Sequence, residues 1–181
     1  RQSHIALVAL RTILCVLELI KRDNKMAKAT FGGGCFWGVE EIFRTMDGVT
    51  GTRVGYMGGA KEQPSYEEVC TDKTGHAEVV QVEFDPAKVD FGALVDVFFD
   101  NHNPTELNRQ GPDVGTQYRS AIFYHDDEQK KVGEEKKAAL IASGRFKRPV
   151  VTTLEKADTF WEAEEYHQQY LAKRGLSSCH I

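Results

Sequence analysis

No Cys-x-x-Cys pair occurs among the four cysteines, Cys15, Cys35, Cys70 and Cys179, and they form no dense framework. This argues against a zinc module and against a disulfide-stapled secreted scaffold. Cysteines this sparse suit a reducing compartment, where a thiol matters for its reactivity. A basic excess is also lacking: 23 Lys and Arg stand against 27 Asp and Glu, for a formal net charge of -4. Without a basic stripe interleaved with aromatics, the charge footprint of a nucleic-acid binder is missing, and residues 145–148 read as a solvated loop. Paired metal-ligand spacing is absent. Cys70 with His76, or His102 with His167, read better as satisfied polar residues than as ligands.

Nor is there an apolar run long enough to span a bilayer comfortably. The best candidate, residues 5–20, is interrupted by Arg11 and Glu18. Ala27-Lys28-Ala29 superficially offers a small-x-small cleavage site, but the stretch before it, Lys21-Arg22-Asp23-Asn24-Lys25, is too charged for an ordinary signal. Met26 directly precedes the first well-patterned segment. Residues 1–25 are therefore read as a leader or upstream extension outside the fold. Residues 26–181 are read as a single catalytic domain with a flexible C-terminal tail, 175–181. The implied location is cytoplasmic, or exported or organellar if the leader is a genuine targeting segment.

What remains has no internal repeat or linker, and 41% hydrophobic residues in a 181-residue chain suffice for a real core. Residues 27–31 form a strand candidate running into three glycines. From Cys35 the apolar spacing of Val39, Ile42, Phe43 and Met46 predicts a helix. A strand is expected over 49–57, a loop over 60–77, and a strand over 78–84 with Val80, Val82 and Phe84 on one face. Asp90 is placed to cap a helix with Phe91, Leu94, Val95 and Phe98 on its inner face. A long loop over 101–117, a strand over 118–124, a helix over 126–143, a strand over 149–154 and a helix over 160–174 complete the pattern. Strands alternating with helices predict an α/β two-layer sandwich, a mixed sheet with packed helices.

The strongest chemical signal is Gly32-Gly33-Gly34-Cys35-Phe36-Trp37-Gly38. Glycines between a strand and a helix allow a sharp turn and leave space above Cys35. At a helix N-terminus, unpaired N–H groups and the dipole favour the thiolate, which is the nucleophilic form. A phosphate-binding turn is the competing reading, but neither Gly-x-Gly-x-x-Gly nor a terminal Gly-Lys-Ser/Thr is present. Phe36 and Trp37 cannot both face one core, so at least one is expected to line the opening. That neighbour either packs under a loop or forms an apolar pocket for a small alkyl group.

Glu78 has the parity of Val80, Val82 and Phe84, so it points toward the core face. Burial there would favour the neutral, proton-donating carboxyl that general acid catalysis requires; leaning out to solvent is the alternative. Tyr66, Asp113 and Tyr118 lie in or beside loops and say little alone. Cys179, in a tail without periodicity, is either an idle surface thiol or one able to reach a second thiol.

Gly34-Cys35-Phe36-Trp37-Gly38 resembles the signature of the A-type peptide methionine sulfoxide reductases. Further strings follow in the same order: Pro64-Ser65-Tyr66-Glu67-Glu68-Val69-Cys70, Thr74-Gly75-His76-Ala77-Glu78, the stretch from Arg109 to Ser120, and Ala163-Glu164-Glu165-Tyr166-His167-Gln168-Gln169-Tyr170-Leu171. The resemblance implies a ferredoxin-like core and reduction of methionine S-sulfoxide, free or in oxidised proteins, in oxidative damage repair. It implies Cys35 as nucleophile, Glu78 as the acid that protonates the sulfoxide oxygen, and Tyr66 and Tyr118 as hydrogen-bond donors to that oxygen. Asp113 would support the polar side, and Phe36 and Trp37 would hold the substrate methyl group. It further implies a Cys35 sulfenic acid, a Cys35–Cys179 disulfide with Cys179 as the resolving thiol, and thioredoxin as external reductant, with no bound cofactor or metal. Some relatives carry two recycling cysteines after the His-Gln-Gln-Tyr string; here there is one, which leaves Cys70 as a fallback partner. A thiol peroxidase and a non-catalytic domain that binds methionine sulfoxide peptides are the rival readings.

Overall fold

The computed structural model describes residues 26–176. The leader reading of residues 1–25 and the position of Cys179 lie outside the described residues. In chain order the elements are β1 (Ala27–Gly32), α1 (Phe36–Arg44), β2 (Val49–Met57), α2 (Tyr66–Cys70), β3 (Ala77–Phe84) and α3 (Phe91–Asp100). There follow the short strands β4 (Arg109–Gln110) and β5 (Asp113–Val114), then β6 (Ala121–Tyr124), α4 (Asp127–Ala142), β7 (Thr153–Lys156) and β8 (Trp161–Glu162).

β1, β2, β3, β6, β7 and β8 make one mixed sheet in the order β7-β6-β1-β3-β2-β8. Its pairs are antiparallel except β6 with β7. The unit β1-α1-β2-β3-α3-β6, with sheet order β6-β1-β3-β2, is the split βαββαβ arrangement of ferredoxin-like folds. Val39 and Phe43 of α1 and Phe91, Leu94, Val95 and Phe98 of α3 bury their apolar stripes in one cluster with Phe31, Val80, Val82 and Phe84. Phe31 is its hub, with ring centroids 4.8 Å from Phe43 and 5.1 Å from Phe98. The opposite face of the sheet carries a smaller cluster of Met57, Ala77, Val79, Ala121 and Phe123 beneath Phe160. β3 is therefore buried on both sides at its start, where Glu78 sits.

The capping signal at Asp90 acts as read, and Asp126 supplies a second cap. Asp90 Oδ1 accepts from the Ala93 N–H at 2.7 Å, and Asp126 Oδ1 accepts from the Gln129 N–H at 2.8 Å. The expectation for residues 160–174 requires correction, since no continuous helix forms there. Trp161–Glu162 pairs with β2, and only short 3-10 turns, Glu165–His167 and Ala172–Arg174, follow. The reason is that this segment bonds to the edge of β2 instead of to itself. The Ala163 N–H donates to the Val54 carbonyl, and the Gln168 amide brackets the Val54 N–H and carbonyl at 2.9 Å each. Gln169 then turns through φ 51 with its N–H on Glu40. The expected strand over 149–154 is displaced to Thr153–Lys156, the loop over 60–77 contains α2, and Tyr118 ends a 3-10 turn ahead of β6. Among the described residues no helix is long and apolar enough to cross a membrane.

Candidate active site

The glycine turn brings three elements together. A Cβ on Gly33 would lie 2.7 Å from the Phe98 ring, and one on Gly34, at φ 95, would lie 2.7 Å from the Gln110 side chain. Glycine thus lets the turn press against α3 on one side and the β4–β5 hairpin on the other. Cys35 occupies the N-cap position of α1, partly exposed, where the first-turn amides converge. The first of those amides, the Phe36 N–H, donates to Glu78 Oε2 at 3.0 Å. Glu78 is only 1% exposed, so its carboxyl group is buried one peptide away from Cys35, on the face its strand parity predicts.

Tyr66 and Tyr118 both lie near Glu78. Burial holds the Tyr118 phenol above its usual range, reinforced by the negative charge of Glu78 and then by Cys70, Asp113 and Cys35. Tyr66 is raised likewise by burial, by its hydrogen bond with the Cys70 thiol and by Glu78. Both hydroxyls therefore keep their protons at neutral pH and can donate hydrogen bonds. Cys70 is exposed, yet partial desolvation of its thiol pushes it up, with the Tyr66 hydrogen bond opposing. Asp113, in β5, pairs across the hairpin with Gln110.

Phe36 is 1% exposed and forms an aromatic floor, its ring 6.0 Å from Tyr56, 6.4 Å from Tyr66 and 5.1 Å from His167. Trp37 is half-buried. Its indole lies flat on Tyr170 at 3.7 Å, and its N–H donates to His167 Nδ1 at 3.0 Å. Because indole is donor-only, His167 Nδ1 must accept and its ring proton sits on Nε2. Burial lowers the basicity of His167, with Glu164 partly opposing. The chain segment after β8 therefore builds one wall of the site.

Glu164, His167, Tyr170 and Tyr56 escaped the sequence reading, as did the closeness of Cys70 to Tyr66. Assigning residues 160–174 to a helix put their side chains on the wrong faces. The Ser65-x-x-Glu68 spacing was an available signal for α2, since both halves of its capping box form. The histidines set aside as metal ligands are engaged elsewhere. His76 accepts from the Gly59 N–H and bonds the Lys61 carbonyl, while His102 donates to the Phe98 carbonyl and accepts from Ser120.

A nucleophile at a helix start, a buried carboxyl group beside it and two protonated phenols suit attack on an atom whose attached oxygen must be protonated. The family model described as peptide methionine sulfoxide reductase matches residues 27–181. A curated relative, peptide methionine sulfoxide reductase MsrA of Methanothermobacter thermautotrophicus, is 60% identical over 158 residues, covering 87% of this chain and 94% of its own length. Among solved structures, methionine sulfoxide reductase A of Corynebacterium diphtheriae is 37% identical with a TM-score of 0.75, over 87% of this chain and 79% of that one. Mxr1 of Saccharomyces cerevisiae in reduced form is 38% identical with a TM-score of 0.73, over 83% of this chain and 87% of that one. Mxr1 has also been solved in complex with Trx2, a structure matching at 28% identity and a TM-score of 0.53 over 81% of this chain and 85% of that one.

Proposed function

The chain belongs to the peptide methionine sulfoxide reductase family, and from that premise we propose that it reduces methionine S-sulfoxide, free or in oxidised proteins, with Cys35 as nucleophile. The observation that carries this reading is the 3.0 Å hydrogen bond from the Phe36 N–H to Glu78, which sets a buried acid beside a helix-start cysteine.

Sulfoxide oxygen is a poor leaving group until it is protonated. The Cys35 thiolate attacks the sulfur while Glu78 delivers a proton to the oxygen, and the Tyr66 and Tyr118 hydroxyls stabilise the charge developing there. The protonated oxygen leaves the substrate sulfur and bonds to the Cys35 sulfur as the S–S bond made by the attack breaks, so methionine departs with that electron pair and Cys35 is left as sulfenic acid. Asp113 supports the polar side, and Phe36 and Trp37 hold the methyl group. The Cys179 thiolate then attacks the sulfenic sulfur, water leaves, and the two thiols have become one disulfide. Thioredoxin reduces that disulfide through its own dithiol, as the solved complex of Mxr1 with Trx2 supports. No bound cofactor enters the cycle. Residues 26–181 act as one catalytic domain, and a cytoplasmic location fits sparse cysteines and a thioredoxin reductant.

The test is NADPH oxidation coupled through thioredoxin reductase and thioredoxin. Turnover with the S epimer of a methionine sulfoxide peptide, and none with the R epimer, is expected. Rapid consumption of peroxide with no response to either sulfoxide would instead make the protein a thiol peroxidase.

A further inference from the structure

Tyr66 is the first residue of a five-residue helix, and a helix that short does not fix its own position. Its orientation comes from outside. The Glu164 carboxylate accepts from the Tyr66 backbone N–H through Oε1 at 2.9 Å and from the Tyr56 hydroxyl through Oε2 at 2.9 Å. The Tyr56 side is rigid: the residue is fully buried, lies in β2 directly opposite Glu78, and packs its ring, tilted, 6.0 Å from Phe36. Glu164 itself is held by its neighbour Ala163, whose N–H bonds the Val54 carbonyl of the same strand at 3.0 Å. One carboxylate thus ties the movable start of α2 to the strand pair that carries Glu78.

We propose that Glu164 is a positioning residue for the reaction, fixing the Tyr66 hydroxyl relative to Glu78 and Cys35 by bridging the Tyr66 N–H and the Tyr56 hydroxyl. The inference rests on the reading that the Tyr66 hydroxyl donates to the sulfoxide oxygen. Burial opposes ionisation of Glu164, but the hydrogen bonds from the Tyr66 backbone, its own backbone N–H and the Tyr56 hydroxyl outweigh it, so the bridging group is an anion at neutral pH. The rest of the helix start is independent of Glu164. Ser65 Oγ accepts from the Glu68 N–H, and Glu68 Oε2 accepts from the Ser65 N–H. Losing the bridge therefore leaves α2 formed and Val69 seated in the core, but frees the first turn to pivot about that anchor, and the Tyr66 hydroxyl moves with it.

The experiment measures the single-turnover rate of methionine formation by reduced protein for E164D and E164Q, each alone and combined with Y66F, with thermal melting as the fold check. Asp keeps the charge but is one methylene too short to reach both partners. E164D is therefore expected to slow the chemical step on the order of tenfold or more, as misplaced groups do. Gln keeps the reach, accepting from the Tyr66 N–H and donating to the Tyr56 oxygen, and is expected to rescue the rate. Because the bridge acts through Tyr66, E164D/Y66F should be no slower than Y66F alone. An E164D rate equal to the parent's, or a loss that multiplies on top of Y66F, overturns the assignment. A parent-like Y66F removes the Tyr66 reading itself and the inference with it, and that outcome is recognised without any Glu164 variant.

Discussion

Replacing Glu78 by Gln separates the acid from the scaffold, because the geometry constrains what is lost. The Phe36 N–H donates to Glu78 Oε2 at 3.0 Å, and a glutamine oxygen can accept the same bond, so the start of α1 stays anchored. In its proton-donating form Glu78 is already a neutral acceptor, as glutamine is, so the exchange changes that bond by about 1 kcal/mol at most. A loss of that size leaves the protein folded. The proton, by contrast, is lost entirely. A positioned general acid contributes about 10²- to 10⁴-fold, equivalent to about 3 to 5 kcal/mol of barrier. The assay is rapid-quench single turnover of reduced protein with saturating methionine sulfoxide peptide, alongside thermal melting. E78Q is expected to melt close to the parent and form methionine at least about 10²-fold more slowly. A folded E78Q with a rate near the parent's would refute the acid role.

Further consequences concern the glycine turn, a half-buried histidine and the resolving thiol. Gly34→Ala puts a Cβ at φ 95 and 2.7 Å from Gln110, so it is expected to destabilise by about 1 to 3 kcal/mol in urea unfolding; unchanged stability would contradict the close packing of the hairpin. His102 is half-buried, and desolvation of its ring holds its pKa down to about 4 against an ordinary 6.5, with its bond to the Phe98 carbonyl opposing. The unfolded chain then binds the extra proton, so stability rises with pH across that window and is lost on acidification from 6.5 toward 4. About 2 kcal/mol of that loss falls between pH 6.5 and 5, and H102Q should flatten the profile there; parallel profiles would refute this. Cys179→Ser is expected to allow one turnover per enzyme and then stall with thioredoxin. Sustained turnover would point to Cys70 or to direct reduction of the sulfenic acid.

The parts of the site that follow local rules were legible before any coordinates. A period-two strand put Glu78 inward, a 3.6-residue period and a glycine turn put Cys35 at a helix start, and Asp90 capped the helix it precedes. The misreading of residues 160–174 has a tertiary origin. Their composition suits a helix, but the Gln168 amide and the Ala163 N–H find better partners along the open edge of β2. Glu164 and His167 became site residues through that pairing. The bonds from Tyr66 to Glu164 and from Trp37 to His167 join residues far apart in the chain, and no local pattern carries them. The covering of the second sheet face by Phe160 was invisible for the same reason.

The central claim is that Cys35 takes the oxygen and a second thiol returns it to the reduced state. The most direct measurement is single-turnover reduction of a methionine sulfoxide peptide by fully reduced protein without thioredoxin, counting methionine formed and thiols lost in the parent and in Cys35→Ser. The account predicts one methionine for every two thiols lost in the parent and neither in the variant. Methionine formation that persists in Cys35→Ser, or its absence in folded, reduced parent protein, would contradict it.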